Sequence, residues 1–596
     1  MRKRTFCFVL LAWAGATSLM AQSAPTSAHL HLERAPALTG PWTVLRADQL
    51  PPSGDGGLLD PLLPGAAFYR LRIDLQDPQG GPLGLPLDAV DPVLLQIAKE
   101  HLESLRPEIP EWQEARLAPV VTPVYDPAVH DGRKPAWLEF KVISTAGARI
   151  SAAAVTKGFA QSPPLLPEAD LGFLLVATGE HDEPLPQYAT RGLTPCEQLR
   201  RRAGTANIRI VRYSASFWVA ENGKGDAVAT LGSTPIRYGP ALLELAGLDF
   251  GGEIEDGKPI QMDKVPPIAT GAFQSYQDFR NDYLKGAVPL RLRKYREAFG
   301  KLEWGLHNDQ LPPRLEVPLK EAVVVLGKHH FRNAEVEDDE LARVDLNPKG
   351  GLNILGRMRG TTLLTTVRAD GTLEYYVLAV DIEAMDFQSN AHWTSWTTYY
   401  GGSCADIPLY VQEWGLWGAC THGWSGCGPT AWAMFYGYWD HRGVHDLIPG
   451  EDTPWSNNDA VRDLIQTVFD YTDTWCTHND AQAATNPWNM HEGYRWASHQ
   501  GEHIHASYRW SLPYASSRPR KKAIAAIKDH HRPAIVGIGY YAHYPLAYGY
   551  KYRKRKWGRI TLKTERRWKV NMGWGSRDCN WVSAKSCWFG MDAYCY

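Results

Sequence analysis

The stretch His422–Asp440, HGWSGCGPTAWAMFYGYWD, sets Cys427 between two glycines at the head of an apolar run. Gly426, Gly428 and Pro429 suit a tight entry into a helix, because glycine accepts unusual backbone angles and proline fits a first helical turn. From Thr430 onward Ala431, Met434, Phe435 and Tyr438 recur at near-helical spacing, which predicts a buried helix with Cys427 at its N-terminus. The positive end of a helix favours negative charge, so a cysteine there is suited to become a thiolate, the nucleophilic form of sulfur. The alternatives are that Cys427 is half of a disulfide or a small core residue.

A thiol nucleophile needs a base. The segment RPAIVGIGYYAHYPLAYGYKY, residues 532–552, reads as two adjacent strands with His543 near the start of the second. Further on, RRWKVNMGWGSRDCNW, residues 566–581, reads as another strand ending at Asn571 and a Gly-Trp-Gly turn. A base on one strand, its ring held by an amide on a neighbouring strand, keeps a neutral imidazole in the tautomer that accepts the thiol proton. Asn571 is the candidate for that amide.

Cysteine at a helix start, then histidine, then asparagine before Gly-Trp-Gly resembles a papain-like cysteine peptidase. The last 190 or so residues are most similar to the bacteriocin-processing, double-glycine branch and its secreted relatives. GCGPTAWAMFYGYWDHRG is similar to the nucleophile helix of that branch, AHYPLAYGYKY to its histidine strand and VNMGWG to its third-residue turn. The resemblance implies Cys427 as nucleophile, His543 as general base and acid, Asn571 as orienting residue, and a peptide or amide substrate. It also implies a glutamine upstream of the cysteine that helps hold the developing oxyanion, each such donor being worth roughly 3 kcal/mol. Gln412 in DIPLYVQEWG is that candidate, fifteen positions upstream of Cys427. This gap is longer than the papain-type pattern, since the insert EWGLWGACTHGWSG lies within it, and Gln412 also reads as a surface residue at a strand end. Two further departures are the lack of transporter segments and an asparagine, rather than an aspartate, in the third position.

Composition sets the frame. The chain has 596 residues, 44% hydrophobic and 21% charged, with a formal net charge of -2, which suits several soluble domains and gives no reason to expect nucleic acid. MRKRTFCFVLLAWAGATSLMAQSA has the basic start, apolar stretch and small residues of a cleavable secretory signal, with cleavage expected after Ala21. An uncleaved membrane anchor is the other reading of that stretch. No other stretch approaches the ~20 apolar residues of a spanning helix. Cys7 leaves with the signal and Cys196 stands alone. The other seven cysteines, Cys404, Cys420, Cys427, Cys476, Cys579, Cys587 and Cys595, crowd into the last third. Seven is odd, so oxidation leaves a thiol, assigned to Cys427, while the other six could form three disulfides of open connectivity.

The chain is read as a multidomain α+β protein. After the signal (1–21) come a small β module (22–85) and a region at 88–255 with one helix, DPVLLQIAKEHLESLRP, followed by strand-like runs. That order resembles the cystatin-like or PepSY-like pro-segments of streptopain-type peptidases. A helical linker region (256–312) precedes short strands with Asp-Gly turns at 313–388, expected as an immunoglobulin-like β-sandwich. The papain-like domain is expected at 389–596, where 17 of the 23 tryptophans lie.

Competing uses of these residues remain open. Cys420, His422 and Cys427 with His503 and His505 could ligate zinc, though in no familiar spacing. The basic run KYRKRKWGRITLKTERRWK could bind an anionic polymer, but an exposed hairpin with a solvated face is the preferred reading. The tryptophans could line a peptide or glycan groove, with core packing the default. The leading expectation is a secreted, periplasmic or cell-surface cysteine peptidase acting on a peptide or protein substrate, with no metal, no organic cofactor, no nucleic-acid partner and no membrane span. The alternative is a noncatalytic secreted binding protein on the same scaffold.

Overall fold

Alternating residues in LAYGYKYRKRKW and ITLKTERRWKVN build a hairpin of two twelve-residue strands, Leu546–Trp557 and Ile560–Asn571. The computed structural model describes strands at 28–35, 43–45 and 68–75, and residues 84–596 without 145–169, 206–207, 233–235, 239–244, 246–247, 269, 305–311, 326–329, 383–391, 413–423, 445–446, 449–457, 477–482, 513–516, 540–542, 558–559 and 575–579. The signal stretch and the run ARISAAAV lie outside the described residues. The three early strands pair antiparallel, with Ala28–Ala35 between the other two.

The long hairpin sits inside one antiparallel sheet that joins distant parts of the chain. On one side of it come Ala534–Gly537, Phe589–Cys595 and Ile504–Ser511, and then the upstream strands Asp249–Glu255 and Lys258–Met262. On the other side come Asn580–Ser583, then Gln187–Ala189, Asp170–Ala177, Trp137–Ser144, Ala115–Val124 and Leu85–Pro86. Segments 88–255 and 389–596 therefore share a sheet, and upstream strands cover both edges of the C-terminal one, edges that would otherwise expose unpaired backbone groups. They share a core as well: Cys196, Leu199, Ile210 and Trp218 pack in one cluster with Ile538, Trp568, Met572 and Trp574.

Helices flank the sheet and start where their caps place them. Asp91 accepts the Val93 N–H at 2.8 Å ahead of Pro92–Leu105, and Thr194 with Glu197 forms a reciprocal capping box at Pro195–Ala203. Residues 276–304 form two helices, Tyr276–Lys285 and Ala287–Trp304. The helix Cys427–Asp440 is buried all round from Cys427 to Tyr438, as expected of a helix that is apolar on every side. Two of its rings satisfy their polar atoms, Trp432 Nε1 donating to Met490 O at 2.8 Å and Tyr436 OH to Gly493 O at 2.8 Å, whereas Trp439 Nε1 is buried without a partner among the described residues. Each such buried ring contributes roughly 3 kcal/mol.

Residues 314–380 form two facing sheets. One holds Phe331–Val336, Gly360–Arg368, Leu373–Val380 and Arg314–Val317, the last pairing parallel; the other holds Ala322–Val325, Leu352–Gly356 and Ala342–Leu346. Val336, Leu352, Ile354, Leu364 and Leu378 fill the space between them. The molecule as described is a strand-rich mixture of helix and sheet. Among the described residues no helix is long and apolar enough to cross a membrane.

The basic hairpin corrects the sequence reading. Lys551, Arg553, Arg566 and Arg567 are buried rather than solvated. Each pairs with a carboxylate: Lys551 with Glu108 at 2.7 Å, Arg566 with Asp338 at 3.2 Å, and Arg553, at 2.7 Å, and Arg567 with a shared Glu565. Glu108 comes from the upstream region and Asp338 from the sandwich, so Lys551 and Arg566 tie those two parts to the hairpin, while Arg553, Arg567 and Glu565 pair within it. Burying a charge without such a partner would cost several kcal/mol.

Candidate active site

Cys427 is the first residue of its helix. Gly426, at φ 84° and ψ 161°, makes the entry turn in backbone that a side chain would strain, and its carbonyl accepts the Thr430 hydroxyl at 2.8 Å. Among the described residues no side chain caps this helix start, and no acid stands in its first turn. The leading N–H groups thus direct their partial positive charge at the sulfur and at any oxyanion beside it. Cys427 carries a thiol, not a disulfide, and is 6% exposed. Cys404 and Cys476 are disulfide-bonded, whereas Cys587 and Cys595 are thiols, so the three disulfides that the six cysteines could have formed are not all made. Cys587 Sγ instead donates to Phe589 O at 3.2 Å, and Cys595 lies in a different core cluster.

His543 lies in the return from Ala534–Gly537 to Leu546–Trp557, its carbonyl accepting the Ile538 N–H at 3.0 Å. The ring is 1% exposed, and Nε2 is 2.8 Å from the carbonyl oxygen of Met572. A carbonyl can only accept, so Nε2 carries the hydrogen and Nδ1 presents a lone pair. Nδ1 is buried and has no hydrogen-bond partner among the described residues. Burial holds the ring's pKa down at about 4, with the Met572 bond pulling weakly the other way. Trp574 flanks the ring at 5.8 Å between centroids.

The amide of Asn571 does not hold this ring. Its Oδ1 accepts the Gly573 N–H at 2.9 Å and its Nδ2 donates to Pro408 O at 3.1 Å. Asn571 therefore shapes the turn, with Gly573 at φ 68°, and the turn presents the Met572 carbonyl to His543. An orienting contact made by a backbone carbonyl has no side-chain signature, which is why the sequence pointed to the neighbouring amide.

Short contacts join the neighbours of the predicted residues, while no hydrogen bond links Cys427 Sγ to His543 Nδ1. The Gly573 turn lies over the first turn of the cysteine helix, where a Cβ on Gly573 would be 3.2 Å from Thr430 Cγ2. Gln412 donates its backbone N–H to Gly573 O at 3.4 Å. Its side chain is half-buried and makes no hydrogen bond among the described residues. Gly428 abuts Thr485 so closely that any Cβ would collide with Oγ1. Tyr544, next to His543, donates its hydroxyl to Thr485 O at 3.3 Å. Thr485 is thus a shared neighbour of the residues that follow Cys427 and His543. Its hydroxyl continues inward to Thr474 at 2.6 Å and Thr472 at 2.8 Å, and Thr472 donates to Val468 O at 2.7 Å. Each hydroxyl has one hydrogen, so the chain runs one way, from Thr485 to the helix Asp459–Tyr471.

Upstream residues form a wall. The turn of the hairpin Arg209–Ser214 and Phe217–Glu221 meets Gly539, where a Cβ would be 2.8 Å from Ser216 Oγ and 2.9 Å from Ser214 Oγ. Gly539 precedes His543 by four residues. Arg202 lies 5.9 Å from the ring centre of Trp424, three residues before Cys427. Of the two histidines drawn from sequence as zinc ligands, His503 stacks on Tyr596 at 5.6 Å and His505 lies tilted against Tyr594 at 5.3 Å. Compared with family models, with curated proteins and with solved structures, the chain matches none.

Proposed function

We propose that the chain is an exported cysteine peptidase in which Cys427 attacks a peptide carbonyl and His543 Nδ1 takes the thiol proton. The acyl-enzyme forms as His543 returns that proton to the leaving amine, and water then releases the acid by the same base. The helix N-terminus at Cys427 holds the oxyanion. Asn571 acts through the turn that carries Met572, and Gln412 is assigned to the oxyanion side as implied by the papain-like resemblance. The single observation that carries the proposal is the tautomer of His543, fixed by Met572 O with a bare, buried Nδ1. No metal or organic cofactor is invoked. In this proposal residues 88–255 play the part of a cystatin-like pro-segment, 313–388 of an immunoglobulin-like spacer and 389–596 of a papain-like domain.

The burial of both Cys427 and His543 favours a second reading, a noncatalytic secreted binding protein on this scaffold. Turnover separates the two. Wild-type protein should hydrolyse a mixed peptide library, and Cys427→Ala and His543→Ala should each lose at least 10³-fold in kcat. Equal turnover by wild type and Cys427→Ala would refute the peptidase.

A further inference from the structure

Lys569 borders a cavity of about 540 Å³ whose walls include Tyr400, Gly401, Gly402, Arg442 and His531. It stands two residues before Asn571 on Ile560–Asn571, so both side chains leave the same face of the strand, roughly 7 Å apart. The segment from Tyr400 to Gln412 lines this cavity at one end and ties to the Asn571–Gly573 turn at the other, through Pro408 and Gln412.

The ammonium of Lys569 is set among three rings, 5.4 Å from Tyr400, 5.6 Å from Tyr548 and 5.7 Å from Trp581. No carboxylate among the described residues pairs with it. Glu111, whose field reaches it, is bound to Arg191. The other permanently charged groups at the cavity are matched to each other: Arg442 pairs with Asp406 at 3.6 Å, and Asp406 also accepts the Ser403 N–H at 2.8 Å. Burial first, and then Arg191, hold the Lys569 amine down at about 8. One unmatched cation walled by rings favours a singly charged anion on an apolar stem.

We propose that this cavity binds a peptide carboxylate, from an acidic side chain or a free C-terminus, against Lys569. The peptide as ligand rests on the peptidase proposal. The test uses the full chain carrying Cys427→Ala, so that no hydrolysis intervenes, titrated calorimetrically at pH 6.5 with three tetrapeptides. One is blocked at both ends and holds a single aspartate, one is neutral with a free C-terminus, and one is neutral and blocked. One or both of the first two should bind at least tenfold more tightly than the third, and which does so names the source of the carboxylate. Adding Lys569→Met should erase the difference, adding Lys569→Arg should keep it, and raising the pH past about 8 should weaken it as the ammonium deprotonates. Equal binding of the three peptides, or a preference that survives Lys569→Met, would overturn the proposal. Hydrolysis by wild type is read separately, so a failure here leaves the peptidase standing and the converse also holds.

Discussion

Met572 O accepts a hydrogen bond from His543 Nε2 at 2.8 Å, and this one contact fixes which ring nitrogen is bare. With the ring 1% exposed and its pKa at about 4, His543 stays neutral through the range in which a free histidine charges. In nitrogen NMR it should report an Nε2-protonated neutral ring down to about pH 4, and the acid limb of kcat/KM should fall near 4 rather than 6.5. The folded-state pKa lies below the unfolded one, so the unfolded chain binds the extra proton between them. The contribution of His543 to stability is therefore complete above about pH 6.5 and is lost as pH falls through about 4. A ring that titrates near 6.5, or that carries its hydrogen on Nδ1, would contradict this.

Asn571 links Gly573 and Pro408. Asn571→Ala strands a buried N–H and a buried carbonyl, which should lower stability by about 1–3 kcal/mol. Activity should fall by an order of magnitude or more as the Met572 carbonyl shifts. Asn571→Asp keeps the acceptor for Gly573 but turns an oxygen toward Pro408 O, so it should not rescue. Chemical denaturation and peptide turnover read the two effects, and a fully active Asn571→Ala would sever Asn571 from the site.

Lys551 is 1% exposed, 4.1 Å from the Trp396 ring centre and paired with Glu108 at 2.7 Å. Burial brings its pKa down to about 7 despite Glu108. Between about 7 and 10.5 the unfolded chain binds more protons, so stability should rise with pH across that window and level off below it. Lys551→Met should lessen this slope, leaving the part that Lys569 contributes above about pH 8, while staying within about 2 kcal/mol of wild type at pH 7, because an apolar stem of like volume replaces a costly charge. Lys551→Ala should cost about 2–4 kcal/mol by leaving a cavity among the rings. Thermal midpoints against pH for the three proteins decide it; a wild-type profile flat over that window would show that Lys551 carries no such penalty.

Local chemistry made some elements legible and tertiary context hid others. Gly426, the apolar run after Thr430 and the Asp91 cap are written in neighbouring residues, so those helices could be read directly. The continuous sheet could not, because Tyr188 and Trp581 pair across most of the chain and nothing local in either strand names its partner. The hairpin from Leu546 to Asn571 was legible as strands but not as buried, since Glu108 and Asp338, which neutralise Lys551 and Arg566, come from elsewhere. At the candidate site the side chains were legible, whereas the Met572 carbonyl and the Thr485 contact with Tyr544 depend on the fold alone.

The reactivity of Cys427 against the other thiols is the most direct measurement. Burial pushes Cys587 up to about 12 and Cys196 and Cys595 well above the usual thiol range, so none of the three is a nucleophile at neutral pH. Treated under mild reduction at pH 7 with an epoxysuccinyl probe and mapped by mass spectrometry, the full chain should be labelled on Cys427 and not on Cys196, Cys587 or Cys595, and His543→Ala should lose the Cys427 label. Absence of label on Cys427 in folded wild-type protein, or undiminished labelling in His543→Ala, would contradict a thiol activated by His543.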